Sequence, residues 1–389
     1  LAGIIAALQG YSFGKLGAHF PSGSGLLEYV ARGFGDGHFT GITAWLAFMS
    51  QAIISAMVAV SFGSYTSAMF TDDDPVWAKV FTVLLLVVMG GLNVLGAKAV
   101  ARAQAILVRV VLATLVVFAA VTVFTADWTL LAPSGYPTLR QIASSVALTF
   151  FAFLGFGVIT FTAKDLANPT RQLPRAIYLA IGIATVVYVA IALGVYGTLT
   201  VPEVVAAGDT AVAEAAKPTL GNLGYTLMAV TAMFSTAGAT NSSLYPAAGL
   251  SKDLAARGQF PPLLGRDLGG RVPAGLLVMV IATTAMALFL DLTAIASIGS
   301  AVALTLFTLV TISHLRVRKT TGANLLILLV ALVLTLATLF SFVTTTLVEE
   351  PATMFTLLGL LVLAIVLDLV WKLIRSRRAD TRSTAGPGR

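Results

Sequence analysis

The 389-residue chain contains no cysteine, and only 11% of its residues are charged against 58% hydrophobic. Without thiols, disulfide frameworks and thiolate metal sites are excluded. A soluble globular chain carries about 25% charged residues, so a soluble enzyme, a disordered chain and a fibrous protein do not fit either. Histidine is scarce: His19, His38 and His314 lie at the ends of apolar runs or between them, and no H-E-x-x-H spacing occurs. The Gly-rich Pro21-Ser22-Gly23-Ser24-Gly25 lacks the Lys-Ser/Thr pair of a phosphate loop and reads as a flexible connector. Asp165, Asp291 and Asp368 all fall near the ends of apolar runs, so no mid-membrane carboxylate relay is visible. A membrane-embedded enzyme would need a His, Asp or Cys constellation at that depth. No cofactor and no metal site is expected.

What the chain has in abundance is apolar length. A transmembrane helix needs about 20 mostly apolar residues. Eleven such runs stand near 2–20, 39–70, 77–97, 105–125, 141–163, 175–199, 221–248, 273–290, 292–314, 323–345 and 352–374. They are too long and too uniformly apolar for membrane strands, so the class is an all-α polytopic membrane protein. The second and seventh exceed a bilayer and should tilt or project. Proline punctuates the runs. In Asn168-Pro169-Thr170-Arg171-Gln172-Leu173-Pro174-Arg175 the first proline is expected to stop one helix and the second to open the next, where its missing N–H costs nothing. The basic, Gly/Pro-containing 376–389 reads as a disordered tail.

Charge then orients the runs. With the first span running inward, 21 of the 24 Lys and Arg residues fall inside, and only Lys79, Arg140 and Lys217 fall outside. That asymmetry is the positive-inside signal of a protein whose C-terminus is cytoplasmic. The net charge of +7 is therefore an orientation signal and not a nucleic-acid footprint. The implied setting is a lipid bilayer, an inner or plasma membrane crossed many times. Eleven is odd and Leu1 begins within apolar sequence. The simple reading is an upstream span that this chain lacks; a genuine eleven-span protein with an external N-terminus is the other.

The fifth run carries the clearest functional pattern. In Phe151-Ala152-Phe153-Leu154-Gly155-Phe156-Gly157 two glycines flank an aromatic near mid-membrane. Glycine lets a helix open, and an opened helix presents backbone polar groups that lipid cannot satisfy but a polar ligand can. Close helix crossing is the competing explanation for the glycines. In the second run Gln51 and Ser55 share a face at i,i+4, beside Ser50. In the seventh, Ser235, Thr236, Thr240, Asn241, Ser242 and Ser243 cluster, although such hydroxyls can bond back to their own helix. Gln51 and Asn241 are costly in lipid and should face the bundle interior. Arg109 lies a turn or two inside a span; it either snorkels to the interface or serves coupling in a cytoplasmic vestibule.

These stretches resemble the amino acid–polyamine–organocation (APC) superfamily. Phe151–Phe156 with Lys164-Asp165-Leu166-Ala167-Asn168-Pro169-Thr170-Arg171 is similar to helix 6 and its loop; Tyr11–Pro21 to the end of helix 2; Leu254-Ala255-Ala256-Arg257-Gly258-Gln259-Phe260-Pro261-Pro262 to the loop after helix 8; and Ile295–Ser300 to the start of helix 10. The resemblance implies a LeuT-type inverted-repeat fold in one membrane transport domain. Residues 1–125 would be helices 2–5 of the first repeat, 140–314 helices 6–10 of the second, 323–375 helices 11 and 12, and 376–389 the cytoplasmic tail. It also implies transport of an amino acid or related amine by alternating access. Phe151, Phe153, Gly155, Phe156, Gly157, Ser50, Gln51, Ser55, Asn241 and Ser243 would bind the substrate. Arg109, Ser235 and Thr236 are the candidates for coupling to a proton or a counter-substrate. No residue at Gly157 ionises, and Val111 stands where some relatives carry lysine, which favours a neutral substrate. A truncated or non-transporting subunit of the same fold is the alternative.

Overall fold

The computed structural model describes the chain except for residues 96–97, 133–135, 349 and 385–389. Its elements run, in order, α1 (Ala2–His19), α2 (Leu26–Phe34), α3 (His38–Phe70), α4 (Pro75–Leu95), α5 (Lys98–Phe124), α6 (Leu139–Phe151), α7 (Pro169–Tyr196), α8 (Val201–Ala207), α9 (Ala211–Glu214), α10 (Lys217–Leu244), α11 (Pro246–Ala256), α12 (Ala274–Phe289), α13 (Leu292–Thr321), α14 (Leu325–Phe342) and α15 (Pro351–Thr384). A 3₁₀ stretch, Leu154–Asp165, continues α6, and a π-turn, Val343–Leu347, continues α14. A two-residue hairpin, β1 (Asp267–Leu268) with β2 (Val272–Pro273), lies in the connection before α12.

Among the described residues, eight helical segments are long and apolar enough to cross a membrane. The other three expected runs coincide with α1, α10 and the 16-residue α12. The chain is thus an all-α polytopic protein, because in lipid every backbone polar group must find its partner inside the helix that carries it.

α3 and α13 form the buried centre. α3 packs on α4, α10, α12 and α13, while α13 packs on α2, α3 and α14. Alanines 44, 47, 52, 56 and 59 let neighbours approach α3 closely, which is how helices associate when lipid offers no hydrophobic driving force. α5 and α7 lie outside and show apolar side chains such as Val110, Val117, Leu179 and Val186 to the surroundings. α15 is tied to α3 by Asp368, fully buried, with His38 Nδ1 at 2.6 Å and Lys372 Nζ at 3.0 Å from its two oxygens.

Three boundaries differ from expectation. α7 begins at Pro169, leaving Pro174 inside the helix. Pro169 fills the first helical position, where no N–H is needed, and Asn168 is the cap residue. α10 is broken near its start by Gly221 at φ 63°, a conformation glycine adopts without penalty. α15 continues through Ser376 to Thr384, so that part of the expected tail is helical. Residues 385–389 lie outside the described residues.

Candidate functional site

The fifth run does lose its α-helical form at mid-span, but before its glycines. α6 ends at Phe151, Ala152 and Phe153 form a turn, and twelve residues then follow in 3₁₀ form. Runs of that form rarely exceed 3–4 residues, and a mid-helix stretch often marks a hinge. Thr160 and Thr162 donate to the carbonyls of Gly157 and Ile159, three residues back, at 2.6 and 2.9 Å. The Tyr188 hydroxyl on α7 donates to the freed Ala152 carbonyl at 3.0 Å. A Cβ built at Gly155 meets nothing within 4 Å, and one at Gly157 meets only Phe13 at ordinary contact. Close crossing therefore does not explain either glycine.

Two cavities flank this stretch. The first is small, about 20 Å³, between α3, α13, the start of α2 and the 3₁₀ stretch. Ser50, Gln51 and Gly157 are on its wall with Leu26, Leu154, Phe161 and Phe307. Gln51 is 5% exposed, and its Oε1 has no hydrogen-bond partner among the described residues. A buried acceptor left unpaired costs about 1–3 kcal/mol, so this carbonyl is a candidate for whatever enters the cavity. An aromatic cluster borders the cavity. Phe13 of α1 meets Phe156 at 5.5 Å and Phe307 at 4.9 Å between ring centres, and Phe156 meets Phe307 at 5.5 Å.

The second cavity is broad and open, about 620 Å³, between α5, the 3₁₀ stretch and α10. Its wall carries Gln104, Arg109, Thr162, Asn241, Ser242 and Tyr245. Asn241 belongs to an amide chain. Asn93 Nδ2 donates to Asn241 Oδ1 at 2.9 Å, Asn241 Nδ2 donates to Gln104 Oε1 at 2.9 Å, and Gln104 Nε2 donates to Ser242 and to the Gly238 carbonyl. Arg109 is exposed and has no hydrogen bond or ion pair among the described residues.

The remaining candidates are placed in packing. Phe151 seats its ring where a side chain on Gly299 of α13 would stand. Phe153 meets Tyr188 edge-on at 5.3 Å. Ser55 and Ser243, both buried, share a hydrogen bond of 2.7 Å between α3 and α10. Ser235 and Thr236 return their hydroxyls to the Ala232 carbonyl at 3.1 and 2.7 Å. Sequence reasoning missed Leu26, Phe161 and Phe307, which have no polar atom to mark them, and Gln104, whose amide was visible at the start of the fourth run.

Residues 1–382 match the amino acid permease family. The chain is 28% identical over 372 residues to the inner membrane transport protein YbaT of Escherichia coli, covering 95% of this chain and 86% of that protein. It is 31% identical to an uncharacterised protein of Methanocaldococcus jannaschii over 81% of this chain and 73% of that one. It is 24% identical to the serine/threonine exchanger SteT of Bacillus subtilis over 67% of this chain and 60% of the relative.

Proposed function

Because the chain belongs to the amino acid permease family and is a multi-pass membrane transporter, we propose that it moves a neutral amino acid or related amine by alternating access. The observation that carries this reading is the unpaired Gln51 carbonyl on a central cavity whose wall has no ionisable side chain. A carbonyl accepts from an ammonium or amide N–H. A charged side chain on the cargo would meet no countercharge there, and burying it unpaired is costly. The cavity holds little more than one water, so the conformer is a closed one. Cargo enters when the 3₁₀ stretch and α13 separate, and the 3₁₀ stretch with its two unpacked glycines supplies the hinge. Gly155 and Phe156 lie on the moving segment, while Phe151 and Phe153 anchor its start. The exchanger named among the relatives handles serine and threonine, small neutral cargo of the kind this wall favours.

The second cavity suits the coupling partner, a proton or a counter-substrate, with Arg109 as its cation. Ser235 and Thr236 act through their own helix instead. In this reading the face that collects the basic residues is cytoplasmic, together with the C-terminus, and the membrane is the cell's inner or plasma membrane. The test is uptake of radiolabelled neutral amino acids into proteoliposomes, with cationic and anionic ones as competitors. Uptake of a small neutral amino acid supports the reading; no transport and no competition by any amino acid or amine overturns it.

A further inference from the structure

α2 lies outside the spans, yet it is among the better buried elements. Leu27, Tyr29 and Val30 are at most 2% exposed, and Leu26 reaches the wall of the central cavity. The helix opens at Gly25, whose φ of +53° and close approach to Thr160 and Phe161 seat its start against the 3₁₀ stretch. Its far end is held by α13. The Ser313 hydroxyl donates to the Tyr29 carbonyl, Arg316 donates to the Gly33 carbonyl at 3.1 Å, and the Arg316 guanidinium covers Phe34 at 4.0 Å. Along α13 the distance from Leu306, on the cavity, to Arg316 is ten residues, about 15 Å at 1.5 Å per residue. α2 therefore fills the space between the cavity and the basic face.

On its other side α2 carries Glu28, only 7% exposed. Arg257 Nη1 at the end of α11 donates to Glu28 Oε2 at 2.6 Å, and Arg32 Nε of α2 itself donates to Oε1 at 2.7 Å. Arg257 is steadied by Asp253 at 3.5 Å. Arg32 travels with α2, so the bond that joins α2 to another element here is the one to Arg257. Separating this pair leaves Glu28 with Arg32 alone, so the contact of α2 with α11 depends on Arg257, while α13 holds the other side of α2.

We propose that α2 is the floor of the central cavity on the basic face, and that the Glu28–Arg257 pair is the latch that opens when cargo passes there. The cargo passage rests on the transport reading above; the latch itself does not require that the cargo be an amino acid. The absence of cysteine makes a clean assay available. A single Ile54→Cys reporter on the cavity wall is labelled with a membrane-impermeant thiol reagent, applied separately to each face of oriented vesicles. Glu28→Gln and Arg257→Gln are each expected to raise the labelling rate from the basic face by about tenfold or more, the factor that corresponds to about 1.4 kcal/mol. Arg32→Gln, which removes a bond within α2 and a stacking contact with Phe20 at 4.9 Å but leaves the Glu28–Arg257 bond in place, is expected to stay within about twofold, as a surface pair does. Unchanged labelling in both Glu28→Gln and Arg257→Gln overturns the latch, as does an equal rise in Arg32→Gln. Faster labelling only from the opposite face overturns the floor. Arg257→Gln leaves Glu28 with Arg32 and so guards against misfolding of the stronger variant. A failure of the amino acid uptake test would leave these labelling results standing.

Discussion

The two faces of the 3₁₀ stretch differ in the space they border. Towards α3 and α13 it closes a cavity of about 20 Å³, lined by Ser50, Gln51, Phe307 and aliphatic side chains. Towards α5 and α10 it borders about 620 Å³ of open space beside Arg109 and the Asn93–Asn241–Gln104 amide chain. Among the described residues, the closed side has a polar atom without a partner; the open side has polar atoms that satisfy one another and a cation, Arg109, with no ion pair. A cavity that can be sealed without water is suited to hold a ligand by a few specific groups. An open one, with a few polar groups on a mostly apolar wall, is suited to transient passage. On the proposed reading the first suits recognition and the second coupling.

The largest expected effect tests that assignment directly. Gln51→Leu removes the unpaired acceptor and lowers uptake by about tenfold or more, the usual loss when a buried ligand partner disappears. Arg109→Gln leaves the KM for external cargo unchanged and slows exchange. Concentration-dependent uptake and counterflow measure both, and normal uptake by Gln51→Leu removes recognition from the closed side.

A pair of glycines gives the next contrast. Gly299→Val drives a side chain into the Phe151 ring and costs about 1–3 kcal/mol by overpacking, seen as a lower melting temperature in detergent. Gly155→Leu meets open space, so it keeps the melting temperature while abolishing transport by stiffening the hinge. Normal uptake in Gly155→Leu shows that the segment does not open there.

A smaller effect separates Ser55 from Ser235. A Ser55→Ala, Ser243→Ala double-mutant cycle gives a coupling of about 1 kcal/mol for the shared hydrogen bond. Ser235→Ala, which loses only a bond to its own helix, is close to neutral. Equal effects at both places show that the Ser55–Ser243 bond carries no coupling.

The smallest effect concerns pH. Although burial pushes the Glu28 carboxyl upward, bonds to Arg257 and Arg32 outweigh it and hold the group below its ordinary value of 4.5. A carboxyl depressed by folding stabilises the fold above its unfolded-state value, and that contribution fades as pH falls through the folded-state value. The stability gap between the wild type and Glu28→Gln is therefore constant near neutrality and shrinks only below about pH 4.5. A gap that survives undiminished in acid reports packing and not charge.

How much was legible follows from the same contrasts. Apolar length marked the eleven runs; eight of them are helices long and apolar enough to cross a membrane among the described residues, and the other three coincide with α1, α10 and α12. The opening in the fifth run was visible through Gly155 and Gly157, but its start at Ala152 was not, since nothing local distinguishes that alanine. Gln51 and Ser55 share an i,i+4 face in sequence, yet one lines the cavity and the other is tied to Ser243. The small rotation and the neighbour that separate them belong to the packing of α3 against α10 and α13. α2 had a readable signal, Leu26, Leu27 and Val30 on one side with Glu28 and Arg32 at i,i+4 on the other. Its partner Arg257, 229 positions away, had none.

By itself, then, the chain's order of residues determined its class and the approximate place of its long apolar helices, because those depend on the transfer of each segment between water and lipid. That the Gln51 carbonyl faces the central cavity without a partner among the described residues, which serines bind each other, and which arginine closes over Glu28 were decided by tertiary structure. Those are questions of helix rotation and of contact between distant segments, and only the packed molecule brings the atoms within 3 Å of each other.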